Sequence, residues 1–342
     1  MDYDNLLTFI QQQFRDGLVL VVGSGLSQAE GIPGMGEIAQ HLTASAAELT
    51  GHDASLWANV ARALAGKEGL EAALLKHVPS DSLETWIARR TAELMLPKEH
   101  AVMSAVVNGE RTLRLTTFLN KILKPPAGLP ILTPNYDRLI EVACEAAGFH
   151  VDTTAIGLYA GAFDHRRSCM ASCRGRRTVG KTIVLDHYPR AVVLKPHGSL
   201  DWYRNDSGGM RCSLDLDADR LIITPGLNKY KAGYGAPFDK HRDLANDYIK
   251  QAARLLVVGY GFNDDHLQTH LVKRIQDGTP TLILARTASK RIEDIASDSP
   301  RCVSVSRAAE FPGISVLNKN VSFQHRGPEL WDLGVLATEV LA

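Results

Sequence analysis

The sequence LVLVV at residues 18–22 runs directly into GSGLS at residues 23–27. A run of five apolar residues with no polar face predicts an inner strand of a parallel sheet, covered on both sides. A glycine turn directly after such a strand lets the backbone approach an anion, beside helix N–H groups that carry positive potential. The two stretches predict a strand–turn–helix unit of an α/β protein, although GSGLS also fits a tight turn without a ligand.

Strand-like runs recur along the chain, separated by stretches with helical periodicity. They lie at residues 18–22, 129–133, 191–194, 221–224, 254–258 and 281–285. Strands that alternate with helices favour a doubly wound parallel sheet. We therefore predict an α/β fold built on such a sheet.

A long helical stretch interrupts this alternation. Between about residues 35 and 124, alanine and leucine dominate, β-branched runs disappear, and Pro79 and Pro97 divide the stretch. This texture predicts an all-helical insertion of four or five helices at residues 36–126, within a core formed by residues 1–35 and 127–342. Residues 155–181 show neither the helical nor the strand periodicity of apolar residues and are interpreted as a loop.

Charge and apolar patterning exclude several classes of protein. The 342 residues include 38 Lys+Arg and 38 Asp+Glu, so nucleic acid could be contacted only through a local patch, and residues 166–181 form a basic one. We interpret that patch first as a solvated loop, and contact with nucleic acid or a partner protein as the alternative. The apolar runs are shorter than the roughly 20 residues of a membrane span, so we expect no membrane association. Five cysteines and an N-terminus without a signal peptide predict a cytoplasmic protein with reduced thiols.

Polar and glycine-rich clusters follow four of the predicted strands. They read GSGLS at 23–27, TPNYD at 133–137, KPHGS at 195–199 and GYGFND at 259–264. Ligands of an open parallel sheet bind outside the carboxyl ends of its strands, so four such clusters predict a shared ligand cleft. Taken singly, Asn135 or Asp137 could be a helix N-cap, and His197 could be a buried structural histidine.

Two nucleotide-binding motifs are not supported, one because it is incomplete and the other because its flanking segments have the wrong predicted structure. The dinucleotide fingerprint G-x-G-x-x-G is broken by Gln28, and the acidic residue expected about twenty residues later is absent, so a hydride-transferring dehydrogenase is poorly supported. Residues 175–182, GRRTVGKT, match the P-loop pattern literally. No apolar strand precedes them, and the following Ile-Val-Leu at 183–185 predicts a strand where a P-loop requires a helix.

Together the four clusters resemble the sirtuin family, and more closely its sirtuin-like bacterial branch found in antiphage defence. The resemblance rests on GSGLSQAEGIPG at 23–34, TPNYD at 133–137, KPHGSLDW at 195–202 and VVGYGFNDDH at 257–266, in that order, with ITPG at 223–226 also similar. It covers roughly residues 17–35 and 129–286. The resemblance implies a Rossmann-like sheet that binds NAD as substrate in an extended cleft.

The resemblance also implies roles for individual residues. Asn135 would hold the ribose hydroxyls and place the attacking water, and His197 would act as general base. Residues implied to bind NAD are Gly23, Ser24, Gly25 and Ser27 around the pyrophosphate, Thr133, Asp137 at the nicotinamide amide, and Gly259, Tyr260 and Gly261 at the adenosine half.

The chain departs from the sirtuin deacetylases in two ways. Only Cys169 and Cys173 are close in sequence, so the two cysteine pairs of a zinc ribbon are missing and no metal is expected. The segment after His197 lacks the deacetylases' substrate-strand pattern, which favours water as acceptor. We therefore predict an NAD hydrolase that yields nicotinamide and ADP-ribose. An NAD-dependent deacylase or ADP-ribosyltransferase, and a non-catalytic module that senses NAD or ADP-ribose, remain as alternatives.

Analogy with such defence systems also suggests how the activity is controlled. Unrestrained hydrolysis would deplete cellular NAD, so the resemblance implies a regulated, NAD-depleting effector. We expect a homo-oligomer, and a ring-forming partner ATPase of the DNA-translocase type encoded nearby.

Overall fold

A large, mostly parallel sheet organises the computed structural model, which describes residues 1–157, 159–206, 208–224, 235–262 and 265–341. Its strands, with those of two smaller sheets, are β1 Leu18–Val22, β2 Leu129–Leu132, β3 His150–Asp152, β4 Ala160–Ala162, β5 Cys173–Val179, β6 Thr182–His187, β7 Arg190–Leu194, β8 Gly198–Tyr203, β9 Met210–Cys212, β10 Arg220–Ile222, β11 Arg254–Val258, β12 Thr281–Ala285, β13 Cys302–Arg307, β14 Gly313–Asn318 and β15 Val321–Arg326. Over these residues the large sheet has nine strands, in the order β15-β14-β13-β12-β11-β1-β2-β7-β3.

Helices cover both faces of this sheet. They are α1 Tyr3–Gln13, α2 Ser24–Ala29, α3 Met35–Ser45, α4 Gly51–Ala65, α5 Leu70–Lys76, α6 Asp81–Val107, α7 Arg114–Leu119, α8 Leu139–Ala146, α9 His165–Ala171, α10 Phe238–Gln251, α11 Asp265–Gln276, α12 Lys290–Asp298 and α13 Leu333–Val340. Alternate residues of one strand enter different cores, because successive side chains of a strand point to opposite faces. In β1, Leu18, Leu20 and Val22 join a core with α1 and α3 to α8, whereas Val19 and Val21 join one with α10, α11 and α12.

The predicted doubly wound parallel sheet is confirmed. Strand β1 pairs in parallel with β2 on one side and with β11 on the other, so the chain changes direction across the sheet at β1. Such a reversal opens a crevice at the carboxyl ends of the strands, where ligands of this architecture bind. The loops that follow β1, β2, β7 and β11 all emerge at this edge.

Residues 35–126, all of which are described, form five α-helices and no strand. Pro97 does not divide two helices as expected, because α6 continues through it for 27 residues. Residues around the proline are held by packing, since Met95, Glu99 and Val102 are all buried. The boundaries of this stretch as a separate insertion stay a prediction.

Two sequence expectations were wrong in detail. The run at 221–224 contributes β10, which pairs antiparallel with β8 in a separate four-stranded sheet and does not extend the parallel sheet. Residues 155–181 are not simply a loop: they contain β4, α9 and the strand β5, which pairs with β6 in an antiparallel hairpin. Strand β5, with the sequence CRGRRTV, has too few apolar residues for a hydrophobic-periodicity test to detect it.

The end of the chain completes the sheet and closes one of its cores. Strand β13 adds in parallel, β14 and β15 add antiparallel, and α13 packs against α7. Asp332 accepts a hydrogen bond from Arg114 Nε at 2.7 Å, which links α13 to α7. Within the described residues, no helix is long and apolar enough to cross a membrane.

Candidate functional site

A cavity of about 180 Å³ lies where the loops after β1, β2, β7 and β11 meet. Seven residues singled out from the sequence line it: Ser24, Ser27, Asn135, Asp137, His197, Tyr260 and Gly261. The remaining four are not among its lining residues: Gly23 and Thr133 each hydrogen-bond Asn135, and Gly25 donates to Gly259, which adjoins Tyr260. The four strand-end clusters therefore share one cavity, as the strand pattern predicts.

The turns after β1 and β11 pack backbone against backbone. Gly25 N donates to Gly259 O at 2.9 Å, and Gly23 N donates to Val258 O at 2.9 Å. A Cβ on Gly23 would lie 2.4 Å from Gly259 O, and Gly259 itself has φ +59°. Packing alone therefore requires glycine at these positions, as the tight-turn interpretation of GSGLS predicts, and the role of this loop in ligand binding stays a prediction.

Asn135 is fixed by the glycine loop. Its Nδ2 donates to Gly23 O at 3.0 Å and to Ser27 Oγ at 2.8 Å, which uses both amide hydrogens. Its backbone N–H donates to Thr133 Oγ1 at 3.1 Å, and Thr133 is fully buried. The side-chain carbonyl oxygen is therefore the atom left to accept a hydrogen bond from a ligand.

Asp137 contributes a carboxyl group to the lining of the cavity. Its Oδ1 accepts from Leu139 N at 3.2 Å, while its Oδ2 is buried and has no hydrogen-bond partner among the described residues. Burial raises the pKa of Asp137, against the opposing effects of Lys195 and Ser27. A carboxyl group with an unfilled position facing a cavity is suited to a ligand that carries an amide.

A buried lysine holds the backbone of Asp137 in place. Lys195 Nζ lies 2.8 Å from Glu141 Oε1 and donates to the backbone carbonyl of Asp137 at 2.5 Å and to Ser199 Oγ at 3.2 Å. Burial raises the pKa of Glu141 as well. The lysine joins the loop after β7 to the loop after β2, so Asp137 and His197 hold a fixed relation.

His197 lies at the turn between β7 and β8 and is largely buried. Its carbonyl accepts from Ile223 N at 2.8 Å, and Gly198 N donates to Lys195 O at 3.0 Å. Gly198 has φ +86°, and a Cβ there would lie 2.0 Å from Leu221 O. Only glycine therefore permits the turn that presents His197 to the cavity.

The helical stretch supplies a wall of the cavity that sequence reasoning missed. Met35 and Ile38 of α3, Glu71 of α5 and Met95 of α6 line it. Nothing local marks these residues, because their role depends on how the helices pack against the sheet. The preceding segment EGIPG offers the one available signal, since it follows the glycine loop directly and Ile32, Pro33 and Gly34 also line the cavity.

Buried carboxylates tie the helical stretch to the loops of the site. Glu30 accepts hydrogen bonds from Arg111 Nη2 and, at 2.9 Å, from Arg114 N. Glu99 of α6 is fully buried and accepts from Arg138, which directly follows Asp137. The helices therefore hold two of the four cavity loops from behind.

Some residues on which the sequence resemblance rests are not described by the structure. Asn263 and Asp264 of the fourth cluster, and Pro225 and Gly226 of ITPG, lie outside the described residues.

In the part of the chain that the structure describes, no group of three or more His, Cys, Asp or Glu side chains is placed to hold a metal ion. The P-loop-like residues 175–182 fall on β5, the β5–β6 turn and the first residue of β6, so a strand follows Lys181, as predicted, where a P-loop requires a helix.

Comparison with known proteins gives one family match. The model of the SIR2-like domain family matches residues 130–298. No curated protein matches the chain. Solved structures with similarity include a mutant Sir2 homologue in complex with ADP-ribose, at 14% identity and TM-score 0.45 over 100% of this chain and 95% of that one. They also include a Sir2 homologue–NAD complex, at 13% identity and TM-score 0.41 over 100% of this chain and 93% of that one. A third is Sir2Tm bound to a propionylated peptide, at 13% identity and TM-score 0.41 over 86% and 90%.

Proposed function

We propose that this chain is an NAD⁺ hydrolase that cleaves the nicotinamide–ribose bond and releases nicotinamide and ADP-ribose. The observation that carries the proposal is the single cavity, at the carboxyl ends of parallel strands, that holds Asn135, Asp137 and His197 together. An orienting amide and a base are the groups that this cleavage requires. The SIR2-like family match over residues 130–298 and the sequence resemblance to sirtuins agree with it.

The reaction needs positioning more than it needs a strong nucleophile. Nicotinamide leaves as a neutral molecule, and the ribose passes through an oxocarbenium-like state. In the proposal, the carbonyl oxygen of Asn135 accepts a hydrogen bond from a ribose hydroxyl or from the attacking water. His197 takes the proton of that water as general base. Water adds to the anomeric carbon as its bond to the nicotinamide nitrogen breaks, and one proton is released for each NAD⁺ consumed.

The charge of the cavity favours the same chemistry. Among the described lining residues, Glu71 and Asp137 are acidic, and there is no lysine or arginine. Carboxylates close to a developing positive charge stabilise it, and they do so more strongly where water is excluded. The Oδ2 atom of Asp137, which lacks a described partner, is proposed to bind the carboxamide of nicotinamide. The pyrophosphate would lie against the glycine loop at Ser24, while Gly23 and Gly25, whose N–H groups donate to Val258 O and Gly259 O, would hold the loop in place.

The test is a chromatographic time course of NAD⁺ with purified wild type, Asn135→Ala and His197→Ala. We expect nicotinamide and ADP-ribose from the wild type, and a rate lower by about 10² to 10⁴ in each variant. The matched controls are Asn108→Ala and His150→Ala, which remove exposed side chains of the same types away from the cavity. If Asn135→Ala and His197→Ala hydrolyse NAD⁺ as fast as the controls do, the assignment is wrong.

The acceptor is tested in the same assay. Acetyl-lysine peptide is added, and the products are examined for acetyl-ADP-ribose and for ADP-ribosylated protein. Formation of ADP-ribose alone supports water as the acceptor. Peptide-dependent acetyl-ADP-ribose would instead assign a deacylase, and NAD binding without turnover in the presence of every candidate partner would assign a sensor.

The proposed biological role is depletion of NAD during antiphage defence. A hydrolase of this kind must be restrained in healthy cells, so we propose control by homo-oligomer formation or by a ring-forming partner ATPase. Size-exclusion chromatography with light scattering, run alone and with the products of neighbouring genes, tests this control. A monomer that is fully active at all concentrations would contradict it.

A further inference from the structure

The hairpin β5–β6 is a ribbon of two strands that forms its own sheet. Residues Arg176 to Val179 on β5 and Thr182 and Ile183 on β6 are all exposed, so neither face of the outer half is covered by the described residues. Isolated two-stranded hairpins are marginally stable in water, and an uncovered one suggests a partner. The site proposed above makes no use of this ribbon.

The ribbon and the helix before it carry an excess of positive charge. Residues 165–188 contain six lysines and arginines, namely Arg166, Arg167, Arg174, Arg176, Arg177 and Lys181, against the single carboxylate of Asp186. All six cationic residues are exposed. Because the whole chain has a formal net charge of zero, the remainder of the protein is net negative. The positive potential is therefore local to this ribbon.

Strand register distributes these charges over both faces and the tip. Arg176 lies opposite Leu185 and Arg177 lies opposite Val184, so the two arginines point to opposite faces of the ribbon. Lys181 occupies the two-residue turn with Gly180, whose φ is +61°. A ribbon that carries positive charge on both faces and at its tip is suited to a groove that has negative charge on both sides.

The base of the ribbon is anchored. Tyr188 N donates to Ser172 O at 2.9 Å, and Ser172 Oγ lies 2.9 Å from His187 Nδ1. Behind it, Asp152 is fully buried and accepts from Ser168 Oγ at 2.5 Å and from Arg190 Nη1 at 3.2 Å. The outer half thus extends from a fixed base, so little ordering is needed when a partner binds.

We propose that the β5–β6 ribbon binds duplex DNA, with its outer half in the major groove and its cationic residues on the flanking phosphates. The major groove of B-form DNA is about 12 Å wide and admits a two-stranded ribbon, whereas that of A-form RNA is too narrow. Five of the six cationic residues are arginines, whose planar guanidinium group matches phosphate. This binding is independent of the proposed hydrolase activity.

The test measures fluorescence anisotropy of a short labelled DNA duplex with the purified full chain at several salt concentrations. The variant combines Arg174→Gln, Arg176→Gln and Lys181→Gln, and it leaves Arg177, which lies 3.4 Å from Asp186, in place. We expect at least about tenfold weaker binding and a salt slope lower by about three, one for each phosphate contact removed. The matched control, Lys121→Gln with Arg291→Gln and Lys319→Gln, removes three exposed charges elsewhere and should bind as the wild type does.

Further ligands distinguish the groove from general polyanion binding. Duplex RNA and single-stranded DNA of the same length should bind more weakly than the DNA duplex, and so should polyglutamate, which stands for an acidic protein. Absence of duplex binding by the wild type, equal binding by the ribbon variant, or equal affinity for polyglutamate would each overturn the proposal. Circular dichroism melting of every variant verifies that it is folded.

Discussion

Glu99 of α6 and Arg138 of the loop after β2 form a buried ion pair. Glu99 Oε2 accepts from Arg138 Nε at 3.0 Å and from Nη2 at 2.5 Å, and Glu99 Oε1 accepts from the backbone N–H of Arg138. Glu99 is fully buried, and the side chain of Arg138 is 10% exposed. Because Arg138 directly follows Asp137, the pair joins the longest helix of the helical stretch to a loop of the site.

Removal of one partner of this pair is expected to destabilise the fold. In Glu99→Ala, the guanidinium of Arg138 stays buried without its counter-charge, which costs about 3–5 kcal/mol in comparable cases. The free energy of unfolding, measured by urea denaturation, should fall by that amount. Glu93→Ala on the same helix, whose side chain is 44% exposed, should change it by less than about 1 kcal/mol. Equal losses of unfolding free energy in the two variants would show that the buried ion pair contributes no more to stability than an exposed one.

Two alanine substitutions separate the stability cost of the close backbone approach between the turns after β1 and β11 from the stability cost of a positive φ angle. Gly259 has φ +59°, and a Cβ there would lie 2.6 Å from Leu26 N. Gly180 has φ +61°, with nothing within 4 Å of the position of a Cβ. Gly180→Ala should therefore cost only the left-handed conformation, about 1–2 kcal/mol. Gly259→Ala should cost more, and the excess in urea unfolding measures the close approach of the two turns.

An isosteric substitution at Asn135 tests whether the hydrogen-bond donors of its side-chain amide are required for activity. Asn135→Asp keeps the size of the side chain but replaces two donors with acceptors, which would face Gly23 O and Ser27 Oγ. The carboxylate repels the carbonyl of Gly23, so the loop loses the contact that fixes this side chain. We expect NAD⁺ hydrolysis to fall by about 10²-fold or more, measured by nicotinamide release. Activity near that of the wild type would mean that the donor role is dispensable.

The strand-end clusters could be predicted from the sequence because each is local. A buried apolar run followed by glycine or polar residues specifies both a strand and the side chains at its end, and in a parallel sheet these ends meet. Glu71 and Met95 could not be predicted in the same way, since their place in the cavity depends on how separate helices pack. The pairing of Glu99 with Arg138 spans 39 residues and has no sequence pattern of its own.

Strand β5 and the C-terminal strands escaped prediction for another reason, whereas the run at 183–185 did predict β6. The arginine-rich strand β5 has no apolar face, so hydrophobic alternation does not mark it. Strand β15 lies at the sheet edge, beyond β14, and it alternates half-buried with exposed residues. Such strands are specified by their pairing partners more than by their own composition.

His241 gives a prediction for the pH dependence of stability. The residue is fully buried, its Nδ1 accepts from Lys195 N at 3.1 Å, and its Nε2 lies 2.8 Å from Thr154 Oγ1. This arrangement suits the neutral ring with its hydrogen on Nε2. Burial, with a contribution from Lys195, lowers the pKa of His241 to about 3 from the ordinary 6.5.

The sign of the effect follows from proton linkage. Below pH 6.5 the unfolded chain binds a proton at His241 that the folded chain does not, so acid favours unfolding. The free energy of unfolding should fall by up to about 1.4 kcal/mol per pH unit on this account between pH 6.5 and about 3. His241→Gln, which retains a donor and an acceptor but does not titrate, should be less stable at neutral pH and show a shallower acid limb. Urea unfolding from pH 7.5 down to 4.5 measures both slopes, and parallel slopes would mean that His241 takes up its proton in the folded state as readily as in the unfolded one.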